Sequence, residues 1–147
     1  MMTDGELAEL LRSVIARPDD LDVLRVYADV LIERGELRGE MIAVQLQRRE
    51  QDSPALVARE RELAIALDVA VVAQLDQPGT AFSWHRGFLD VVDFMPTRER
   101  RQLADTLRVL GTLPVARKLR RIVVRFVEPG WGAVGPITSM LARVAPQ

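Results

Sequence analysis

A chain of 147 residues, 48% apolar, with no cysteine and a formal charge of −1, suits one compact domain or a small domain with an appendage. Disulfide frameworks and thiolate metal sites are excluded, and no stretch reaches the roughly 18 apolar residues that a membrane-spanning helix requires. The opening MMTDGELAELL is acidic and amphipathic, unlike a signal peptide, so a cytoplasmic location is expected.

The small net charge hides an asymmetry. Residues 1–78 carry 16 acidic and 9 basic side chains, whereas residues 79–147 carry 5 and 11. Such segregation marks two modules or a partner surface, or two halves that attract each other.

Thr3-Asp4-Gly5-Glu6 has the form of a capping box, and Leu7, Leu10, Leu11, Val14 and Ile15 then recur at helical spacing. Arg17-Pro18 ends that helix, because the residue before proline avoids the α region. Asp19 or Asp20 caps a second helix with Leu21, Leu24, Tyr27, Ala28 and Leu31 on its buried face. Gly35 fits as its C′ residue. Met41, Ile42, Val44 and Leu46 resume helical spacing at once, so the second and third helices are expected to form a tight hairpin. Ser53-Pro54 starts a fourth helix that runs to about Asp76, with Leu56, Leu63, Leu67, Ala70, Val71 and Leu75 as its apolar positions. Gln77-Pro78-Gly79 stops it.

The texture then changes. Phe88 to Phe94 reads as a strand, Pro96-Thr97 as the start of a helix through Leu103, Leu107 and Leu110, and Leu119 to Val127 as a second strand. A Gly/Pro-rich loop, Glu128 to Pro136, contains Trp131. Ile137, Met140, Leu141 and Val144 suggest a last short helix. Val91-Val92-Asp93-Phe94 recurs 32 residues later as Val123-Val124-Arg125-Phe126, so each unit is a strand followed by a helix, and the strands are expected to be parallel. One apolar face would hold Phe88, Val92 and Phe94 with Ile122, Val124 and Phe126. The other would hold Leu89, Val91 and Asp93 beside Arg121, Val123 and Arg125, with Asp93 next to Arg125. The expected architecture is α+β: a four-helix region over residues 1–78, then a short leucine-rich-repeat-like βαβα unit with parallel strands over 79–147.

Pro18-Asp19-Asp20, Arg25-Val26-Tyr27-Ala28-Asp29, Leu31, Glu33-Arg34-Gly35 and Arg38-Gly39-Glu40-Met41-Ile42 together resemble the bacterial repeat-companion domain, whose usual core reads approximately YADWLEERGD followed by RGEFI. Val30 stands where that pattern has Trp, and Ile32 where it has Glu, as in a divergent member. Trp84-His85-Arg86-Gly87-Phe88 resembles the segment that enters the first repeat strand. The resemblance covers residues 5–50 and 82–94. It implies association with leucine-rich-repeat-like architectures, hence macromolecular recognition, and carries no catalytic residues.

Tyr27, Asp29, Arg34, Gly35, Arg38 and Glu40 are read as structural. Arg34 or Arg38 would pair with Asp29 or Glu40 around the Gly35 turn, and Tyr27 would sit in the core with its hydroxyl at the rim. His85, the only histidine, has no partners at triad or metal spacing, and Ser83 lacks a nucleophile-elbow context. Gly130, Gly132 and Gly135 follow a strand but form no phosphate-loop order. No cofactor or metal is expected.

The arginine-rich second half raises nucleic-acid binding through phosphate contacts, although few aromatics interleave with the arginines. Arg121 and Arg125 on one strand face would suit carboxylates of a protein partner. The function expected first is therefore a non-enzymatic protein–protein interaction or adaptor module, with Arg121, Val123, Arg125, Asp93, Val91 and Trp131 as partner-binding residues. Nucleic-acid binding is the alternative, and a small enzyme of unrecognised class comes last. Two repeats leave the 119–127 strand with an open edge, where self-association or another protein is expected.

Overall fold

The computed structural model describes residues 1–77, 79–97, 100–126 and 138–142. The chain divides into two compact units, Met1–Leu67 and Asp68–Gln147, the division falling inside the fourth helix.

The first unit is helical: α1 Asp4–Ala16, α2 Leu21–Glu33, α3 Leu37–Glu50 and the beginning of α4, Pro54–Leu75. The capping box at the start of α1 is formed, Thr3 accepting from the Glu6 amide while the Glu6 carboxylate accepts from the Thr3 amide at 2.7 Å. The Thr3 amide, and then the Thr3 hydroxyl, which also donates to this carboxylate at 2.8 Å, hold the Glu6 carboxyl below the usual carboxylate range. Asp20 caps α2, accepting from the Val23 amide at 3.2 Å.

At the other end of α2 the chain makes a Schellman turn. Gly35, at φ +74°, donates its amide to the Ile32 carbonyl at 2.9 Å, and Glu36 donates to Leu31 at 2.9 Å. The turn folds α3 back on α2, and Leu24, Tyr27, Ala28 and Leu31 are buried with Met41, Ile42, Val44 and Leu46. Leu21, expected on that face, is only half-buried.

Gly39 sets how close the two helices come. A Cβ there would lie 2.6 Å from the Ala28 carbonyl oxygen and 2.8 Å from the Ile32 nitrogen. The glycine of the Arg38-Gly39-Glu40 triplet therefore admits the backbone of α2 directly.

The charges of the hairpin are not arranged as expected. Neither Arg34 nor Arg38 pairs with Asp29 or Glu40. Arg34 reaches back to the start of α1, bonding the Met2 carbonyl at 3.2 Å and the Asp4 carboxylate. Arg38 is buried and donates to the Tyr27 hydroxyl, its guanidinium carbon 5.2 Å from the centre of the tyrosine ring. Tyr27 is 1% exposed, so its hydroxyl lies inside rather than at the rim, and burial pushes its pKa up. Glu40 takes a two-pronged bond from Arg59 on α4, at 2.7 and 2.8 Å, which lowers its carboxyl below the usual range. Asp29 is exposed. The reason is reach: a long arginine satisfies its fork on whichever element the fold brings near, and sequence spacing shows only its own helix. Gln45 and Arg48 of α3 also bond Glu60, so three polar links join α3 to the first part of α4.

The second unit holds the end of α4 and a four-stranded sheet in the order β1-β2-β3-β4, with β1 Ala81–His85, β2 Phe88–Thr97, β3 Arg121–Phe126 and β4 Thr138–Ala142. Helix α5, Arg100–Thr112, and a 3₁₀ turn, Pro114–Ala116, connect β2 to β3. The β2–β3 pair is parallel, as expected, but antiparallel strands flank it on both sides.

The sheet differs from the expected one at four points. The segment before Arg86 is a strand. The segment read as a last helix is β4, paired backbone to backbone with β3. In consequence β3 has a strand on each side, and the open edge expected at 119–127 is occupied. Apolar residues at 137, 140, 141 and 144 have helical spacing, and the pairing of 138–142 with β3 overrides that local signal. β2 also continues through Pro96 to Thr97, where a helix start was expected. Its pairing with β3 shifts between Phe94 and Thr97, around the proline that has no amide to donate.

The core of this unit is Leu89, Val92, Phe94, Ile122 and Val124 from the sheet, with Val71 and Leu75 of α4, Leu110 of α5 and Leu119. Leu89 was expected on the opposite face from Val92. The cause is a β-bulge: Ser83 pairs with Val91 and Trp84 with Leu89, leaving Asp90 as the extra residue. The bulge turns Leu89 onto the core side with Phe82 and Trp84, and takes Phe88 out of that cluster, although Phe88 is fully buried.

Candidate interaction surface

The β2–β3 pair has one buried face and one that is partly open. Val92 and Phe94 lie with Ile122 and Val124 inside, so by alternation Val91 and Asp93 share the outer face with Arg121, Val123 and Arg125. Five of the six expected partner-binding residues are thus brought together. Trp131, and the glycines around it, lie outside the described residues.

The register is not the repeat register. Val91 pairs with Arg121 and Asp93 with Val123, an offset of 30 rather than 32. A slip of two keeps every side chain on its face. Asp93 and Arg125 are therefore diagonal neighbours, and the longer side chain closes the gap, Nη2 donating to Oδ2 at 2.7 Å. The other Asp93 oxygen is buried with no hydrogen-bond partner among the described residues. Both side chains keep some water contact, so the pair contributes about 0.2–1 kcal/mol. A double-mutant cycle of Asp93→Ala and Arg125→Ala, read by urea unfolding, is expected to give a coupling energy in that range. A coupling indistinguishable from zero would show that the contact fixes nothing.

A second pair stands at the start of β3. The Arg120 guanidinium grips both oxygens of Asp90, the bulge residue, with Nη2–Oδ2 at 2.8 Å, while the Arg120 amide donates to the Asp90 carbonyl at 3.0 Å. The guanidinium bond holds the Asp90 carboxyl below the usual range. Arg121 is exposed between these two clamped arginines and makes no ion pair with a described residue.

The hairpin tip adds further cations. Arg86 and Gly87 form a two-residue β1–β2 turn with φ +51° and +72°, the pattern of a type I′ turn, which normally takes Asn-Gly. His85 precedes it. Partial burial, followed by the charge of Arg86, holds the imidazole below the usual histidine range; Asp90 opposes this and Arg120 and Lys118 reinforce it. Lys118 Nζ lies 5.1 Å from the centre of the Phe88 ring. A basic end of the sheet is thus built from Arg86, Lys118, Arg120 and Arg121, with Asp90 as its acidic member. His85 and Arg86 are absent from the expected surface, and Lys118 belongs to it only through the basic second half that raises nucleic-acid binding. The two-residue turn between alternating Phe82/Trp84 and Phe88 was the available signal.

Elsewhere, a shallow depression of about 440 Å³ is lined by Asp52, Ser53, Pro54, Val57, Ala58 and Arg61. The Ser53 hydroxyl there accepts from the Leu56 amide at 3.3 Å as the α4 cap. Among the described residues no three metal-binding side chains cluster, and no helix is long and apolar enough to cross a membrane. Comparison of the chain with protein-family models, curated proteins and solved structures finds no match.

Proposed function

We propose that this chain is a non-enzymatic protein–protein interaction module, an adaptor of a bacterial cytoplasmic assembly, whose arginine face takes an acidic segment of a partner protein. One observation carries the reading: two arginines flanking the exposed Arg121 are already clamped by Asp90 and Asp93 on the neighbouring strand. An arriving carboxylate would therefore meet Arg121, whose guanidinium is not committed to a described residue and can grip both carboxylate oxygens. The half-buried Val91 and Val123 supply apolar contact between the charges. The resemblance of residues 5–50 to the repeat-companion domain supports the same class of function, with the β2–α5–β3 crossover as a single leucine-rich-repeat-like unit.

The test is titration of the purified protein with a Glu/Asp-rich peptide and, separately, with a duplex oligonucleotide. Saturable binding of the peptide, weakened about tenfold by Arg121→Glu, is the expected result. The Arg86, Lys118, Arg120 and Arg121 cluster gives nucleic-acid binding its own footing. Steeply salt-dependent binding of the duplex, with no binding of the peptide, would replace the first reading by that one.

A further inference from the structure

Among the described residues, the edge of the sheet left without a neighbour next to the hairpin is β1, on the far side from the strand expected to be open. Among the described residues β1 pairs only with β2. Its burial alternates along the strand: Ala81, Ser83 and His85 are exposed, while Phe82 and Trp84 pack against the core cluster yet stay only half-buried. Trp84 is oriented by its indole nitrogen, which donates to Asp68 Oδ1 at 2.7 Å. β1 therefore ends the sheet with two large aromatic side chains incompletely covered, and it carries no proline or lysine to deter another strand.

We infer that β1 pairs antiparallel with β1 of a second copy of this chain, Ser83 opposite Ser83, to give a two-fold dimer with one continuous sheet. The strand reads alike from both ends. With Ser83 on the two-fold axis, Phe82 of each copy stands opposite Trp84 of the other, and Ala81 opposite His85. Two aromatic cross-strand pairs then extend the covered face, the most favourable kind of pair for a sheet. Charge selects the direction. The antiparallel arrangement sets His85 and Arg86 of one copy against the uncharged Ala81 and Thr80 of the other. A parallel arrangement would set Arg86 beside Arg86 and His85 beside His85. The isologous contact closes on itself, so a dimer rather than a fibre results. This pairing does not depend on what the arginine face binds.

The chain has no cysteine, which makes a decisive test simple. Ser83→Cys should form a disulfide-linked dimer under mild oxidation, because opposed residues of an antiparallel pair bring their Cα atoms to about 4.5–5.5 Å. Ala43→Cys, exposed on α3, is the control and should cross-link only slowly. Sedimentation from low to several hundred micromolar should show reversible dimerisation of the unmodified protein. Ser83→Lys, which places two like charges on the axis at an exposed position, should weaken it about tenfold without changing the circular dichroism spectrum. A chain monomeric throughout that range would overturn the inference. So would a dimer that survives Ser83→Lys and is not trapped by Ser83→Cys; such a dimer would use another surface, for instance the exposed Ile65 and Val69 of α4.

Discussion

Gly39→Ala is expected to destabilise the protein by about 1–3 kcal/mol, although alanine favours a helix over glycine by about 1 kcal/mol. The added methyl would sit 2.6 Å from the Ala28 carbonyl oxygen and 2.8 Å from both the Ile32 nitrogen and the Leu31 Cβ. Two of those three neighbours are backbone atoms of α2 and cannot swing aside. α3 must instead lift off α2, loosening the packing of Tyr27, Leu31, Met41 and Ile42, which are all but inaccessible to solvent. Gly111 supplies the matched control. It lies in α5, and nothing is within 4 Å of the position its Cβ would take. There the same substitution is expected to raise stability by a few tenths to about 1 kcal/mol. Urea unfolding of the two variants against the unmodified chain checks both signs. A neutral Gly39→Ala would mean that the helices can separate at no cost, and that the Arg38-Gly39-Glu40 triplet has no packing role.

Phe94→Ala carries the largest expected penalty, about 3–5 kcal/mol. Phe94 is fully buried on β2, in the cluster that joins Val92, Ile122 and Val124 to Leu110 of α5 and to Val71 and Leu75 of α4. Alanine there opens a cavity lined from both sheet and helices, and the rigid strand pairs on either side limit how far it can collapse. Phe82→Ala is expected to cost less, because Phe82 is only half-buried on the edge strand. The same ranking should appear in denaturant midpoints, with the slope of unfolding free energy against urea unchanged. Equal penalties at 82 and 94 would contradict the burial difference between the edge strand and the centre of the sheet.

Much of the helical unit was legible in the sequence because the signals there are local. Thr3 with Glu6, Asp20, Gly35 and Ser53 each act on the backbone within a few residues of themselves, so their spacing alone locates helix ends. The buried faces of α2 and α3 followed from period. The sheet was harder. Its parallel centre could be inferred from the matching tetrapeptides at Val91 and Val123, and the Asp93–Arg125 contact survived a register two residues away from the one they implied, since even slips preserve faces. β1 and β4 were missed. One lacks β-branched residues, and the other lies in a segment whose apolar residues have helical spacing.

For the candidate surface, the sequence by itself determined which residues alternate outward on β3 and on β2 after the bulge, Val91 and Asp93 beside Arg121, Val123 and Arg125. Only the tertiary structure decided which arginines are clamped and which is open. Asp90 reaches Arg120 across 30 positions, and Arg38, which resembles its charged neighbours in the sequence, is buried against Tyr27. It also decided which strand edge is left over, because an edge is defined by the absence of a neighbour, and neighbours in a sheet come from non-local pairing. Helix caps, turns and face alternation are set by atoms a few bonds apart. Ion-pair choice, close helix approach at Gly39 and sheet order depend on segments that meet only after the chain has folded.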